Sequence, residues 1–196
     1  MTKFSIAMRH RITARTAIFT CALMIASTAR LSAQPTMVVL VRHAEKAAVA
    51  GNDPPLSDIG RERANALAIA LKSASPTTII VSTLMRTALT ADVVAQQTGV
   101  KPTAISIAGG AAHIDAVAKA VQSAKGVVLV VGHSNTVPAI IKALGGPSLP
   151  DICDATYSHF FTLVPAKDGQ PASLTVSHFG AAEAPPPATC PGMVPR

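Results

Sequence analysis

The sequence predicts an α/β fold: a three-layer sandwich whose mostly parallel sheet is flanked by helices and carries an antiparallel hairpin at its edge. Three observations carry this expectation. Short continuous apolar runs, residues 37–41 (MVVLV) and 126–131 (GVVLVV), read as strands buried on both faces. Amphipathic stretches of helical period separate such runs, and strand–helix alternation at this spacing is the pattern of a covered parallel sheet. Late in the chain, residues 160–164 and 174–177 flank Lys167-Asp168-Gly169-Gln170, a composition suited to a hairpin turn.

Each element follows in order. After the strand at 37–41, Leu56-Ser57 opens a helix through Lys72, with Ala64, Leu67, Ala68 and Leu71 at helical spacing. Ser57 is its expected N-cap, and Asp58 suits the positive end of the helix. Residues 77–82 (TTIIVS) form a second strand, and 84 to about 97 a second helix, stopped by Gly99. A third strand at 103–107 and a helix at 113–123 lead to the strand at 126–131. A helix at 134–144 then ends at Gly145-Gly146-Pro147. Residues 184–196 hold five prolines and read as an irregular tail. There is no internal repeat.

The first 33 residues differ from the rest. Lys3, Arg9, Arg11 and Arg15 give a basic start, and residues 16–29 run uncharged and mostly apolar before Ala-Arg-Leu-Ser-Ala-Gln. These are the parts of a secretory signal peptide, and an apolar run of this length falls short of the roughly 20 residues that span a bilayer. Residues 1–33 are therefore expected to be a signal peptide cleaved after Ala33, with Ala29 the alternative site. The protein would then be periplasmic or secreted, with no stable membrane anchor after cleavage.

Cleavage changes the charge argument. Residues 1–33 carry five of the 17 Lys and Arg and none of the ten Asp and Glu, so residues 34–196 keep a net charge of only +2. The basic balance thus gives no reason to expect a nucleic-acid partner. The remaining 163 residues suit one domain, and its core must be aliphatic, because the chain has no Trp, one Tyr and five Phe. Cys153 and Cys190 lie beyond the signal. In an exported chain an even pair reads as a disulfide, with two unrelated thiols as the alternative.

In open α/β sheets the reactive groups gather beyond the C-terminal ends of the strands. The first strand is followed by Arg42-His43-Ala44-Glu45-Lys46, the second ends in Ser82-Thr83-Leu84-Met85-Arg86-Thr87, and the strand at 126–131 is followed by Gly132-His133-Ser134-Asn135. Two histidines and two arginines, far apart in sequence, converge on one edge. No pair of His, Cys, Asp or Glu shows zinc-ligand spacing, so neither a metal nor another cofactor is expected.

These pieces, with Pro55-Leu56-Ser57 and Gly60, occur in an order that resembles the histidine phosphatase (phosphoglycerate-mutase-like) superfamily in its short exported "RHAEK" form. The resemblance spans residues 38 to about 164 and marks 34–183 as the domain. It implies a phosphomonoesterase that acts on a small phosphorylated substrate through a phosphohistidine on His43, with His133 contacting the phosphoryl group. A phosphomutase and a non-catalytic phosphate-binding domain of the same fold are the alternatives. Substrate and oligomeric state are not legible.

The chemistry suits the residue types. A transferring phosphoryl group spreads charge over three oxygens, and guanidinium forks on Arg42 and Arg86 can pair two oxygens at once. The helix opening at Ser134-Asn135 offers free N–H groups to the same edge. One ring nitrogen of His43 would attack while the other donates to a backbone carbonyl, and neighbouring positive charge would keep the ring neutral. Glu45 is expected to orient the arginines, and Lys46 to be solvated. His159 and His178 are given no role. Specificity is expected in residues 47–54 and 108–113.

The general acid is less defined. Relatives draw it from a carboxylate in the loop after the third strand, where this chain offers only Asp115 and His113. Asp115 is the expected acid and His113 the second choice, otherwise a substrate-binding residue. The competing reading of Asp115 is a helix N-cap.

Overall fold

The computed structural model describes residues 34–190 and residue 192. The expected signal peptide, residues 1–33, lies outside the described residues. Within the described residues six strands and four helices follow one another in the predicted order: β1 (Pro35–Arg42), α1 (Asp58–Leu71), β2 (Thr78–Ser82), α2 (Met85–Thr98), β3 (Thr103–Ile105), α3 (Ala111–Gln122), β4 (Gly126–Gly132), α4 (Thr136–Ala143), β5 (His159–Val164) and β6 (Ser173–His178).

The strands form one sheet in the order β3-β2-β4-β1-β5-β6. The first four are parallel neighbours, and β5 and β6 add the antiparallel edge hairpin that the sequence predicts. Period-two alternation decides which layer each side chain joins. Val38, Leu40, Ile80, Val128 and Val130 face Val117 and Val121 of α3 and Val137, Ile140 and Ile141 of α4. Val39, Val41, Ile79, Val81, Leu129 and Val131 face Leu67, Ala68 and Leu71 of α1 and Ala91 and Val94 of α2. The sheet is thus buried on both faces, which is why its central strands are continuous apolar runs.

Local chemistry sets the element ends. Ser57 Oγ accepts from Gly60 N–H at 3.1 Å and caps α1 as expected. Gly99 closes α2 in the left-handed conformation at φ 71°. Several boundaries differ from the sequence reading; α4, for one, starts at Thr136 rather than at 134. β3 stops at Ile105, and α3 starts at Ala111 rather than at 113. Gly109 and Gly110, at φ 90° and 52°, turn the chain into the helix two residues early, a path that L side chains rarely follow. Residues 184–190 carry no helix or strand, and Cys153 is bonded to Cys190, their Cα atoms 5.4 Å apart.

Candidate active site

β1 and β4 are neighbours, so the residues just past them meet. His43 N–H donates to Gly132 carbonyl at 2.9 Å, which extends the β1–β4 ladder by one residue. The rings of His43 and His133 consequently lie 5.3 Å apart, edge to face at 62°. Both residues are buried.

His43 Nδ1 lies 2.8 Å from the carbonyl oxygen of its neighbour Ala44. A carbonyl only accepts, so Nδ1 carries the proton and Nε2 keeps its lone pair. Ala44 is itself fixed, because its N–H donates to Thr90 Oγ1 on α2 at 2.9 Å. The His43 pKa is lowered to about 4, first by burial, with Arg42, Arg86 and Lys46 adding and the Ala44 carbonyl opposing. Charge alone had been the expected cause; desolvation is the larger one.

Arg42, at the end of β1, is gripped by the segment before β5. Its Nη1 donates to the carbonyls of Cys153 at 2.9 Å and Thr156 at 3.0 Å, and its Nη2 to Asp154 Oδ1 at 3.1 Å. The Tyr157 ring covers it, 4.2 Å from the guanidinium carbon. Arg86 comes from the first turn of α2 and reaches Asp53 Oδ1 at 3.4 Å. Asp53 also accepts Met85 N–H at 2.8 and 3.0 Å, capping a helix whose own N-cap, Leu84, has no side chain to offer. Nε of each arginine is buried without an acceptor. An unpaired buried donor is costly, and a bound anion is a partner that removes the cost.

Arg42, His43, Lys46, Arg86, His113 and His133 line one cavity of about 380 Å³, together with Leu84, Ile107, Gly110, Asp154 and the start of α4 at Ser134, Asn135 and Thr136. Five of the six site residues expected from the sequence are therefore in one place. His113 is buried, and its Nδ1–H donates to the Ser106 carbonyl at 2.8 Å, which leaves Nε2 as its free nitrogen.

Asp115 is the exception. It is exposed, inside α3, and does not line the cavity. Because α3 begins at Ala111, Asp115 is neither an N-cap nor a pocket residue. It sits two positions beyond the inward-facing His113, roughly 200° around the helix. Glu45 also differs from expectation. It orients neither pocket arginine but holds Arg63, from Oε1 to Nη2 at 2.7 Å and to Nε at 2.9 Å. The buried Arg63 then reaches Glu183 at 3.3 Å and the Phe179 carbonyl at 3.1 Å. Among the described residues, no group of three or more His, Cys, Asp or Glu is placed to hold a metal ion.

Comparison with known proteins gives this arrangement a context. Residues 38–106 match the model of the histidine phosphatase superfamily (branch 1). No curated protein sequence matches the chain. Among solved structures, the protein histidine phosphatase SixA complexed with tungstate is similar at TM-score 0.57 and 17% identity, over 72% of this chain and 96% of that one. A mycobacterial glucosyl-3-phosphoglycerate phosphatase is similar at TM-score 0.52 and 18% identity, over 75% and 99%. Mycobacterial hydrolase 1 reaches TM-score 0.54 at 21% identity, over 76% and 100%. At these identities the structural likeness concerns the fold.

Proposed function

We propose that this chain, whose residues 38–106 match the histidine phosphatase superfamily model, is an exported, metal-independent phosphomonoesterase whose nucleophile is His43. One observation carries the reading. The Nδ1–H of His43 is tied to the Ala44 carbonyl, which leaves an unprotonated Nε2 in a cavity also lined by Arg42, Arg86, His113 and His133.

In the proposed reaction the Nε2 lone pair attacks phosphorus and the bond to the ester oxygen breaks. Arg42, Arg86 and His133 take the charge of the three equatorial oxygens, aided by the N-terminus of α4. The leaving alkoxide takes a proton. His113 is the assigned donor, as an imidazolium acting from Nε2, because the Ser106 carbonyl holds its Nδ1–H. The resulting neutral His113 accepts a proton from the water that attacks the phosphohistidine. The P–N bond then breaks and its electron pair returns to His43. The cationic work is assigned to guanidinium and imidazole groups, so turnover should survive chelation by EDTA. The basic, then apolar, start of the chain supports export, and a disulfide is most at home in an oxidising compartment.

The test is to trap the intermediate. Mature protein mixed with a 32P-labelled phosphate ester and quenched in alkali should carry acid-labile label on His43, and His43→Ala should carry none and not turn over. Label on another residue, with His43→Ala still active, would refute the mechanism.

A further inference from the structure

At the end of β2 lies a hydroxyl that the mechanism above does not use. Ser82 is 2% exposed, and its Oγ is 2.9 Å from His133 Nε2 and 3.0 Å from Thr87 Oγ1. The Leu84 N–H donates to the same oxygen at 3.2 Å. Thr87, fully buried, donates from Oγ1 to the Leu84 carbonyl at 2.8 Å, with the Ser82 carbonyl at 3.1 Å.

Counting protons leaves two arrangements. Leu84 N–H only donates, the carbonyls only accept, and each hydroxyl has one proton. Thr87 spends its proton on a carbonyl, so the single Ser82 proton has two takers. If it goes to Thr87, His133 must supply the proton on Nε2; if it goes to His133 Nε2, the His133 proton sits on Nδ1. Ser82 draws Nε2 into the protein, so Nδ1 is the nitrogen that His133 turns to the cavity it lines.

The two arrangements present opposite faces to an anion. The first offers phosphoryl oxygen a lone pair, the second an N–H. A doubly protonated ring would offer an N–H in either case, but burial, then His43, Arg86, His113 and Arg42, lower the His133 pKa to about 3. Those four residues, with Lys46 and Asp154 on the cavity wall, are the titratable and charged groups that face it.

We propose that Ser82 is a positioning residue: its hydroxyl donates to His133 Nε2 and so makes the neutral ring a hydrogen-bond donor to phosphoryl oxygen through Nδ1. The proposal rests on the phosphate-pocket reading above. It involves no bond change, only the direction of the Ser82–His133 hydrogen bond.

The experiment is 15N NMR of His133 in the mature protein at pH 7, with inorganic phosphate, alongside orthovanadate inhibition measured from pH 5 to 8. The expected spectrum places the proton on Nδ1. Ser82→Ala should weaken vanadate binding about tenfold, the scale of one hydrogen bond to a charged group. Ser82→Thr, which keeps the hydroxyl, should restore binding. A phosphate-induced shift at His43 with the His133 proton on Nε2 overturns the relay alone. Should Ser82→Ala be misfolded, the wild-type spectrum still decides it. If neither histidine responds to phosphate, the pocket reading fails and takes this proposal with it.

Discussion

The carbonyl oxygen of Cys153 accepts from Arg42 Nη1 at 2.9 Å while its side chain is bonded to Cys190, so a cross-link and a pocket arginine share one residue. Thr156 N–H and Oγ1–H close a turn on the same oxygen at 2.9 and 3.0 Å. The link therefore stiffens the turn that holds Arg42, as well as tying down the chain end.

Removing the link should act on both stability and binding. With a separation of 37 residues, chain-entropy arguments give about 3–4 kcal/mol for the bridge. Cys190→Ser should lower the denaturation midpoint accordingly and raise KM more than it lowers kcat, because the turn under Arg42 loosens. An unchanged KM at a lowered midpoint would show that the turn holds its shape without the bridge.

Acid should unfold the protein through its histidines. His43 and His133 have pKa values lowered to about 4 and about 3, against 6.5 for a free side chain. Such rings bind protons more readily once unfolded, so acid favours the unfolded state. The contribution is complete above pH 6.5 and is lost as pH falls toward 4 and then 3. Thermal midpoints should hold level from pH 8 to 7 and decline below 6.5. The His43 ring resonance, followed in the folded protein, should titrate near 4; a midpoint near 6.5 would contradict the buried neutral ring.

The proton donor should reveal itself by leaving group. His113→Gln should slow alkyl phosphates by about a hundredfold or more while largely sparing p-nitrophenyl phosphate, whose leaving group needs little protonation. Asp115→Asn, on the exposed side of α3, should leave both substrates unaffected. Equal slowing of the two substrate types by His113→Gln would remove it from the role.

The sheet and its strand-end residues were legible because both follow local rules. A strand buried on two faces must be apolar throughout, and what comes next must stand at the sheet's edge. Arg42, His43, Arg86 and His133 were found in that way. Asp154, Tyr157 and Asp53 were missed, because their contacts depend on how loops far away in the sequence return to the edge. Glu45 misled for the same reason: its partner Arg63 lies 18 residues on, with only tertiary packing to bring it near. Gly60 was visible as part of a motif, but its physical cause was not. A Cβ there would sit 2.2 Å from the Glu45 carbonyl oxygen. Asp115 failed on a helix start, which depends on the dihedral angles of Gly109 and Gly110 rather than on composition.

The placement of β1 has a consequence for synthesis. The strand that ends in Arg42 is made first, yet its two neighbours are β4, beginning at Gly126, and β5, beginning at His159. Loop closure over such separations is slow, and β1 has no partner until most of the chain exists. A nascent chain halted before Phe160 would leave Val38–Val41 with an open, wholly apolar edge, a template for aggregation. His43, the proposed nucleophile, is thus made before the sheet neighbours of its strand and is enclosed only once β5 exists.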